Sequence, residues 1–274
     1  MPKPRKQIKQ ARRNSTARIL SGLVLAGAVG TAAWFGTRKS SRSIPPQTGG
    51  DVVSNAALSA SATNRENPEL FFAWLAQQTN AAELLNTGTM LLERGRGGQA
   101  ILCYRRALEF KPEDEEAHFN LGVTHTRLGQ WPEAEQSYRE ALKLFPEYVE
   151  AHNNLGNLLT RLKRFDEAVA EFSTALQLAP DNASAHNNLG RALAEQGAPA
   201  EALKHFAEAA RLDTNYAEAR FNLGSAYLNL GRTNDAVTAF SETLRLRPDF
   251  APARQALQRL SRAARSASGF SERL

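Results

Sequence analysis

The sequence predicts an all-α solenoid of five helical hairpins, preceded by one transmembrane helix and a flexible linker. Three observations point there. The phrase AHNNLGNLL at 151–159 returns as AHNNLGRAL at 185–193, a step of 34 positions, and looser copies begin at 117 and 219. Rows of 34 residues laid from Ala81 run five times without a gap: 81–114, 115–148, 149–182, 183–216 and 217–250. Within each row, residues recur at i, i+3, i+4, i+7, which is one stripe of a helix. His152, Leu155, Gly156 and Leu159 form such a stripe, and Ala168, Phe172, Ala175 and Leu176 form the stripe of a second helix in the same row.

The elements follow in chain order. Residues 1–18 are a basic segment holding Lys3, Arg5, Lys6, Lys9, Arg12, Arg13 and Arg18. Residues 19–36 (ILSGLVLAGAVGTAAWFG) carry no charge. At 1.5 Å per residue they reach roughly 27 Å, enough to cross a bilayer core. Trp34 and Phe35 stand at the far end, where interfacial aromatics belong. Only Arg38, Lys39 and Arg42 follow closely, so the positive-inside rule leaves the N-terminus in the cytoplasm. The expectation is a single-pass protein of the cell (inner) membrane with its repeats on the extracytoplasmic side. A cleaved secretory signal is the competing reading and would leave a soluble secreted or periplasmic form. Gly22, Ala26 and Gly30 share one helix face and could support a homodimer. Chance spacing in a span so rich in Gly and Ala is the simpler account.

Residues 37–65 are rich in Ser, Pro, Gly, Ala and Asn and read as a flexible tether. Residues 66–80 read as an N-terminal capping helix opening at Asn67-Pro68. In the rows, Gly95, Gly129, Gly197 and Gly231 mark the turn between helices, with Lys163 as the exception. Pro112, Pro146, Pro180 and Pro248 mark the end of each second helix, with Thr214 as the exception. Gly122, Gly156, Gly190 and Gly224 lie inside first helices. They are expected to meet Ala134, Ala168, Ala202 and Ala236, small against small. Residues 251–265 read as a C-terminal capping helix, apolar at Ala253, Ala256, Leu257 and Leu260 and basic opposite, and 266–274 as a tail.

The Leu-Gly pairs, the alanine of the second helix, the aromatic four residues later (Tyr104, Tyr138, Phe172, Phe206, Phe240) and the row-ending proline resemble the tetratricopeptide repeat family. The resemblance implies a right-handed superhelix with a concave groove that engages a partner protein or peptide. It also implies hairpins that stand by neighbour contacts, since one pair cannot bury its own apolar face.

An asparagine precedes every Leu-Gly slot: Asn86, Asn120, Asn154, Asn188 and Asn222. In a helical projection the apolar stripe of row three centres roughly 150° from Asn154, so the series is expected to point away from the helix-pair core. An amide both donates and accepts, and a row of them could hold an extended backbone. The series is similar to that of the O-GlcNAc transferase repeats. The bland alternative is that each amide ties its helix to the next row. Asn157, Arg127, Arg161 and Arg191 fall near the same expected groove, the arginines suiting an acidic segment. A chaperone-type carboxylate clamp is incomplete, because its lysine slot holds Leu85, Phe119, Asn153, Asn187 or Phe221.

Composition excludes several classes. The single cysteine, Cys103, allows no intramolecular disulfide and no cysteine metal cluster. Residues 1–65 carry +10 and 251–274 carry +4, so the net +6 leaves 66–250 at −8 and argues against nucleic acid. His118, His152 and His186 recur every 34 residues. They occupy the packing stripe and lack converging partners, so core histidine is favoured over a metal row. Gly-rich GRGGQA at 95–100 lacks a phosphate-loop lysine. No catalytic residues and no cofactor are expected. The function expected is a non-enzymatic scaffold, or an accessory subunit presenting substrate to a separate enzyme.

Overall fold

The structure is a computed structural model that describes residues 68–271. The basic segment, the apolar span at 19–36 with its small-residue face, and the tether at 37–65 lie outside the described residues. Among the described residues no helix is long and apolar enough to cross a membrane. The described residues fall into two units that divide between Thr79 and Asn80. In the first, helix α1 spans Pro68–Gln77, shorter than the 66–80 expected. Proline suits that first position because its missing N–H has no helical partner there. Phe71 packs against Trp74 on the same helix, ring centroids 5.7 Å apart.

The second unit is a stack of five hairpins. They are α2 (Ala81–Glu93) with α3 (Gly97–Phe110), α4 (Glu115–Arg127) with α5 (Trp131–Leu144), and α6 (Val149–Arg161) with α7 (Phe165–Leu178). Then come α8 (Ala183–Glu195) with α9 (Pro199–Leu212), and α10 (Ala217–Asn229) with α11 (Thr233–Leu246). Helix α12 (Ala251–Ser271) closes the series. No strand occurs among the described residues. Each second helix packs on the first helix of its own row and on that of the next. First helices of successive rows also pack backbone to backbone more closely than second helices do, which meet through long side chains such as Arg139 and Glu167. First helices therefore form the closely spaced wall of the stack.

What joins each pair is an aromatic ring seated on a glycine. A Cβ built on Gly156 would stand 2.8 Å from Phe172 Cε1, and on Gly122 it would stand 2.5 Å from Tyr138 Cδ1. Gly88, Gly190 and Gly224 meet Tyr104, Phe206 and Phe240 in the same way. The expected small partners Ala134, Ala168, Ala202 and Ala236 are fully buried, and the atoms nearest each glycine belong to the ring one turn further on. An alanine methyl is too short to fill a slot that a planar ring of the facing helix can cover. In the first two rows the ring is tyrosine, and its hydroxyl finds a threonine, Thr89 at 3.3 Å and Thr126 at 3.1 Å.

The turns between paired helices need one left-handed residue. Gly95, Gly129, Gly197 and Gly231 hold φ of 75°, 73°, 90° and 73°. In row three the same place falls to Lys163 at φ 59°. A residue with a Cβ is disfavoured there by roughly 1–2 kcal/mol, while glycine carries no such steric penalty. Lys163→Gly is therefore expected to stabilise the fold by about 1 kcal/mol after the added freedom of the unfolded chain is subtracted. Thermal melting should register it as a rise of about 2–4 °C; a fall would show that the lysine side chain holds something the backbone does not reveal.

Proline is not what stops the second helices. They end at Phe110, Leu144, Leu178, Leu212 and Leu246, the same register in every row, including the one with Thr214 in place of proline. The next residue is extended in each, with φ of −141°, −140°, −142°, −124° and −139°. A following proline favours that conformation, yet Asp213 adopts it without one. The device present in four successive rows and the closing helix is a side-chain hook. Nε2 of His118, His152 and His186 donates to the carbonyls of Pro112, Pro146 and Pro180 at 3.1, 2.9 and 3.1 Å. Arg220 donates to Thr214 O at 3.2 Å, and Arg254 to Pro248 O at 2.6 Å. The histidines are thus half-buried hooks over the preceding turn, which corrects their expected place in the apolar core.

Helix α12 packs Ala253, Ala256, Leu257 and Leu260 near Ala236 and Phe240. Its arginines, Arg254, Arg259, Arg262 and Arg265, are exposed. The helix runs to Ser271, past the 265 expected, because nothing in SASG breaks a helix strongly and no proline follows.

Candidate partner-binding face

The asparagine series does not present five equal amides. Asn86 is exposed, Asn154 and Asn222 are half-buried, and Asn120 and Asn188 are 0% and 3% exposed. Two of them reach back to the row before. Asn188 Nδ2 donates to Asn153 Oδ1 at 3.1 Å, and Asn222 Nδ2 donates to Asn187 Oδ1 at 2.9 Å. Donor and acceptor are 35 residues apart in both cases. At that distance before Asn154 stands Phe119, and before Asn120 stands Leu85, neither of which has an acceptor. Accordingly, Asn120 is buried with both amide atoms unpartnered, an arrangement that costs about 1–3 kcal/mol. The expected free ladder is thus corrected at Asn120, Asn188 and Asn222. These positions sit on the seam between first helices, where the neighbouring row covers what a single-helix projection leaves open.

The second half of the seam pairs the residue before each first helix with the same acceptor position. Tyr148 lies on Phe119 with ring centroids 4.8 Å apart. Tyr216 OH accepts from Asn187 Nδ2 at 3.3 Å. Phe250 lies 5.1 Å from Phe221. Asn80, Asp114 and Asn182 at that position instead cap their helices, accepting from backbone N–H groups of the first turn. Tyr148 and Tyr216 give up the side-chain cap and make a row contact in exchange.

A double-mutant cycle isolates the amide seam. Asn153→Ala and Asn188→Ala should each destabilise the array, and the pair should lose less than the sum by about 0.5–1.5 kcal/mol in chemical denaturation. Asn154→Ala, with Phe119 in place of an amide 35 residues before it, should couple to neither; equal coupling there would refute the register.

Two histidine pairs on the outer side of the hooks differ in sign. His152 Nδ1 lies 2.6 Å from Glu171 Oε2. Burial pulls its pKa down, but the Glu171 carboxylate and the Pro146 carbonyl outweigh burial and hold it above its ordinary value of 6.5. One row on, His205 stands where Glu171 does, with its Nδ1 3.0 Å from His186 Nδ1 and the rings stacked. Burial first, and then the neighbouring His186, lower the pKa of His205. The linkage signs follow. The His152 contribution is complete below 6.5 and fades as pH rises through its raised folded value. The His205 contribution is complete above 6.5 and is lost as pH falls through its lowered folded value. His205→Glu should convert the second case into the first. Between about pH 8 and pH 5.5 the variant should gain thermal stability relative to the parent chain; a parallel pair of curves would discount the pairing.

The open part of the first-helix wall lies further along. Arg127, Arg161 and Arg191 are exposed and Asn157 is half-buried. Arginines of the second helices and turns are mostly neutralised: Arg139 and Arg164 share Glu135 and Glu167, Arg211 pairs with Glu208, and Arg245 with Glu242. Two arginines bonded to it, acting against burial, keep Glu135 below the usual carboxylate range. Among the described residues Arg127, Arg161 and Arg191 form no such ion pair, and Arg161 instead lies 4.9 Å over the Trp131 ring. Between α8 and α10 an open depression of about 180 Å³ is lined by Arg191, Glu195, Asn222, Ser225, Asn229 and the buried ring of Phe206. Of the expected site residues, the structure brings Arg191 and Asn222 together here. Ser225 and Asn229 were not singled out from the sequence; their spacing from Asn222, three and seven residues, is the signal that could have found them. No cluster of three or more potential metal ligands occurs among the described residues.

Tetratricopeptide-repeat family models match residues 88–129, residues 124–183 and 164–217, and residues 193–260. Together the matches run from 88 to 260, and the chain is a tetratricopeptide-repeat protein. No curated protein matches the sequence significantly. Among solved structures, that of Pseudomonas aeruginosa pilF superposes with a TM-score of 0.62 at 24% identity, covering 69% of this chain and 86% of that one. YrrB, a TPR protein with an unusual peptide-binding site, gives 0.56 at 23%, covering 69% and 97%. MamA, residues 41 to the end, from Desulfovibrio magneticus RS-1 gives 0.58 at 21%, covering 62% and 96%. At these identities the likeness is one of fold.

Proposed function

We propose that the chain is a membrane-tethered adaptor that holds a partner protein, through an extended segment, on the wall formed by its first helices. The observation that carries this is the depression between α8 and α10, where Arg191, Asn222 and Ser225 converge on solvent-accessible space. Repeat stacking itself uses the amide seam and the aromatic contacts; Arg127 remains exposed and Asn157 half-buried, and Arg161 gives only its guanidinium face, to the Trp131 ring. A peptide-binding site occurs on the same fold in YrrB, and the proposal carries that capacity to this chain. The likeness to O-GlcNAc transferase repeats is kept only for the half-exposed amides, Asn154 and Asn222. No residue constellation on this wall suggests chemistry, so its work is scaffolding.

The proposed anchor is residues 19–36, with the N-terminus cytoplasmic and the repeats on the other side of the membrane. Its support is the uncharged length and the seven-to-three distribution of flanking positive charge. Alkaline carbonate extraction tests it: retention in the pellet is expected, and release would favour a cleaved, soluble form. Photo-crosslinking in the native host tests the binding wall. A crosslinker at Asn157 should capture a partner that one at the exposed Lys143 on the second helix does not; the reverse pattern would overturn the reading.

A further inference from the structure

We infer that the segment held on this wall is acidic, carrying carboxylates at every third residue, with one of them seated against Arg191. This rests on the binding wall proposed above. Acids of the second helices are matched with arginines in the same helix or the next turn, at 2.6–3.3 Å for Glu135, Glu167, Glu208 and Glu242. The three exposed arginines of α4, α6 and α8 have no carboxylate within ion-pair range among the described residues. The array as a whole is acidic, so these guanidinium groups are local exceptions to its field.

Geometry sets the register. Arg127 and Arg161 hold the same place in successive rows, 34 residues apart, while Arg191 lies one helical turn nearer its helix N-terminus. Packed helices lie about 8–10 Å apart, and an extended chain advances roughly 3.3 Å per residue. Carboxylates three residues apart therefore match successive rows, on a line that slants by about 6 Å at its Arg191 end. At that end, the depression offers the Asn229 amide and the second N–H of the Asn222 amide beside Arg191, while the Ser225 hydroxyl on its wall already donates to the Phe221 carbonyl. A guanidinium can bind a carboxylate with two parallel hydrogen bonds. The occupied place of Arg161 over Trp131 leaves its N–H edge available, since stacking uses the guanidinium face. Glu195, on the rim of the same depression, opposes an anion there. It gives the inference an internal control of opposite sign.

The test is fluorescence anisotropy with the full chain in detergent and a labelled peptide, Gly-Asp-Ser-Ala-Asp-Ser-Ala-Asp-Gly, against its all-asparagine counterpart. The aspartate peptide should bind, weaken with added salt, and lose about tenfold in affinity in Arg191→Gln. Glu195→Gln should tighten it several-fold. Both side chains are exposed, and unchanged melting curves will confirm intact folding. Equal binding of the asparagine peptide, no binding of the aspartate peptide, indifference to Arg191→Gln, or weakening by Glu195→Gln would each overturn the inference. If crosslinking from Asn157 still captures a partner while the aspartate peptide fails, the acidic register is wrong and the wall remains; loss of that crosslink removes the wall itself.

Discussion

Phe172→Ala is expected to cost about 3–5 kcal/mol, more than removal of any single polar contact described above. The ring is fully buried at the centre of the stack and covers Gly156, whose missing Cβ makes room for it. Truncation leaves a hole that neither helix can close, because the backbone on the glycine side already sits at its nearest approach. The reverse change is also unfavourable. Gly156→Ala gains roughly 1 kcal/mol in helix propensity, but its methyl would stand 2.8 Å from the ring, and overpacking costs about 1–3 kcal/mol. Combining Gly156→Ala with Phe172→Leu should recover part of the loss. Chemical denaturation of the three variants measures this, and strict additivity would show that ring and glycine do not share one slot.

Tyr148→Ala is expected to remove roughly 3–5 kcal/mol and to divide the unfolding transition. Tyr148 is 3% exposed, lies 4.8 Å from Phe119 and 5.9 Å from Phe145, and, as the residue that opens α6, holds the start of the third row's first helix on rings of the second. In a repeat protein cooperativity rests on such nearest-neighbour contacts. Weakening one should let the rows before it melt apart from the rows after it, visible as two steps in calorimetry. Tyr148→Asn offers a check. It removes the ring but supplies the side-chain cap that Asn80 and Asn182 give their helices. It should therefore cost about 1 kcal/mol less than alanine. If asparagine and alanine behave alike, the cap is not limiting at this helix.

The hairpins and their turns were legible in the sequence because the signals are local. A stripe at helical spacing, a glycine at the left-handed turn, and a 34-residue step do not depend on any distant partner. Lys163 was placed correctly at its turn for the same reason: register alone puts it where Gly129 and Gly197 stand. What failed were statements about contact across helices. The partner of Gly156 was taken from residue size, whereas reach decides it, and a phenyl ring reaches where a methyl does not. The asparagine series was read from one helix in isolation, so the surface supplied by the preceding row was invisible. The clue was present one position earlier: the acceptor place reads Leu85, Phe119, Asn153, Asn187, Phe221, and only asparagine there can receive the next row's amide. The half-exposed Asn157 and exposed Arg127, Arg161 and Arg191 were legible because the projection suffices where no neighbour intrudes.

The alternation along that column has a consequence for assembly. Hairpins cast from nearly the same mould could in principle stack out of order, or trade places with those of another copy. An amide that receives the next row's amide at the last two junctions, where the earlier junctions offer only Phe119 and Leu85, makes such shuffled neighbours mismatched. Fidelity of sequence order is thus written at the joints of the array, while the modules themselves stay interchangeable in shape.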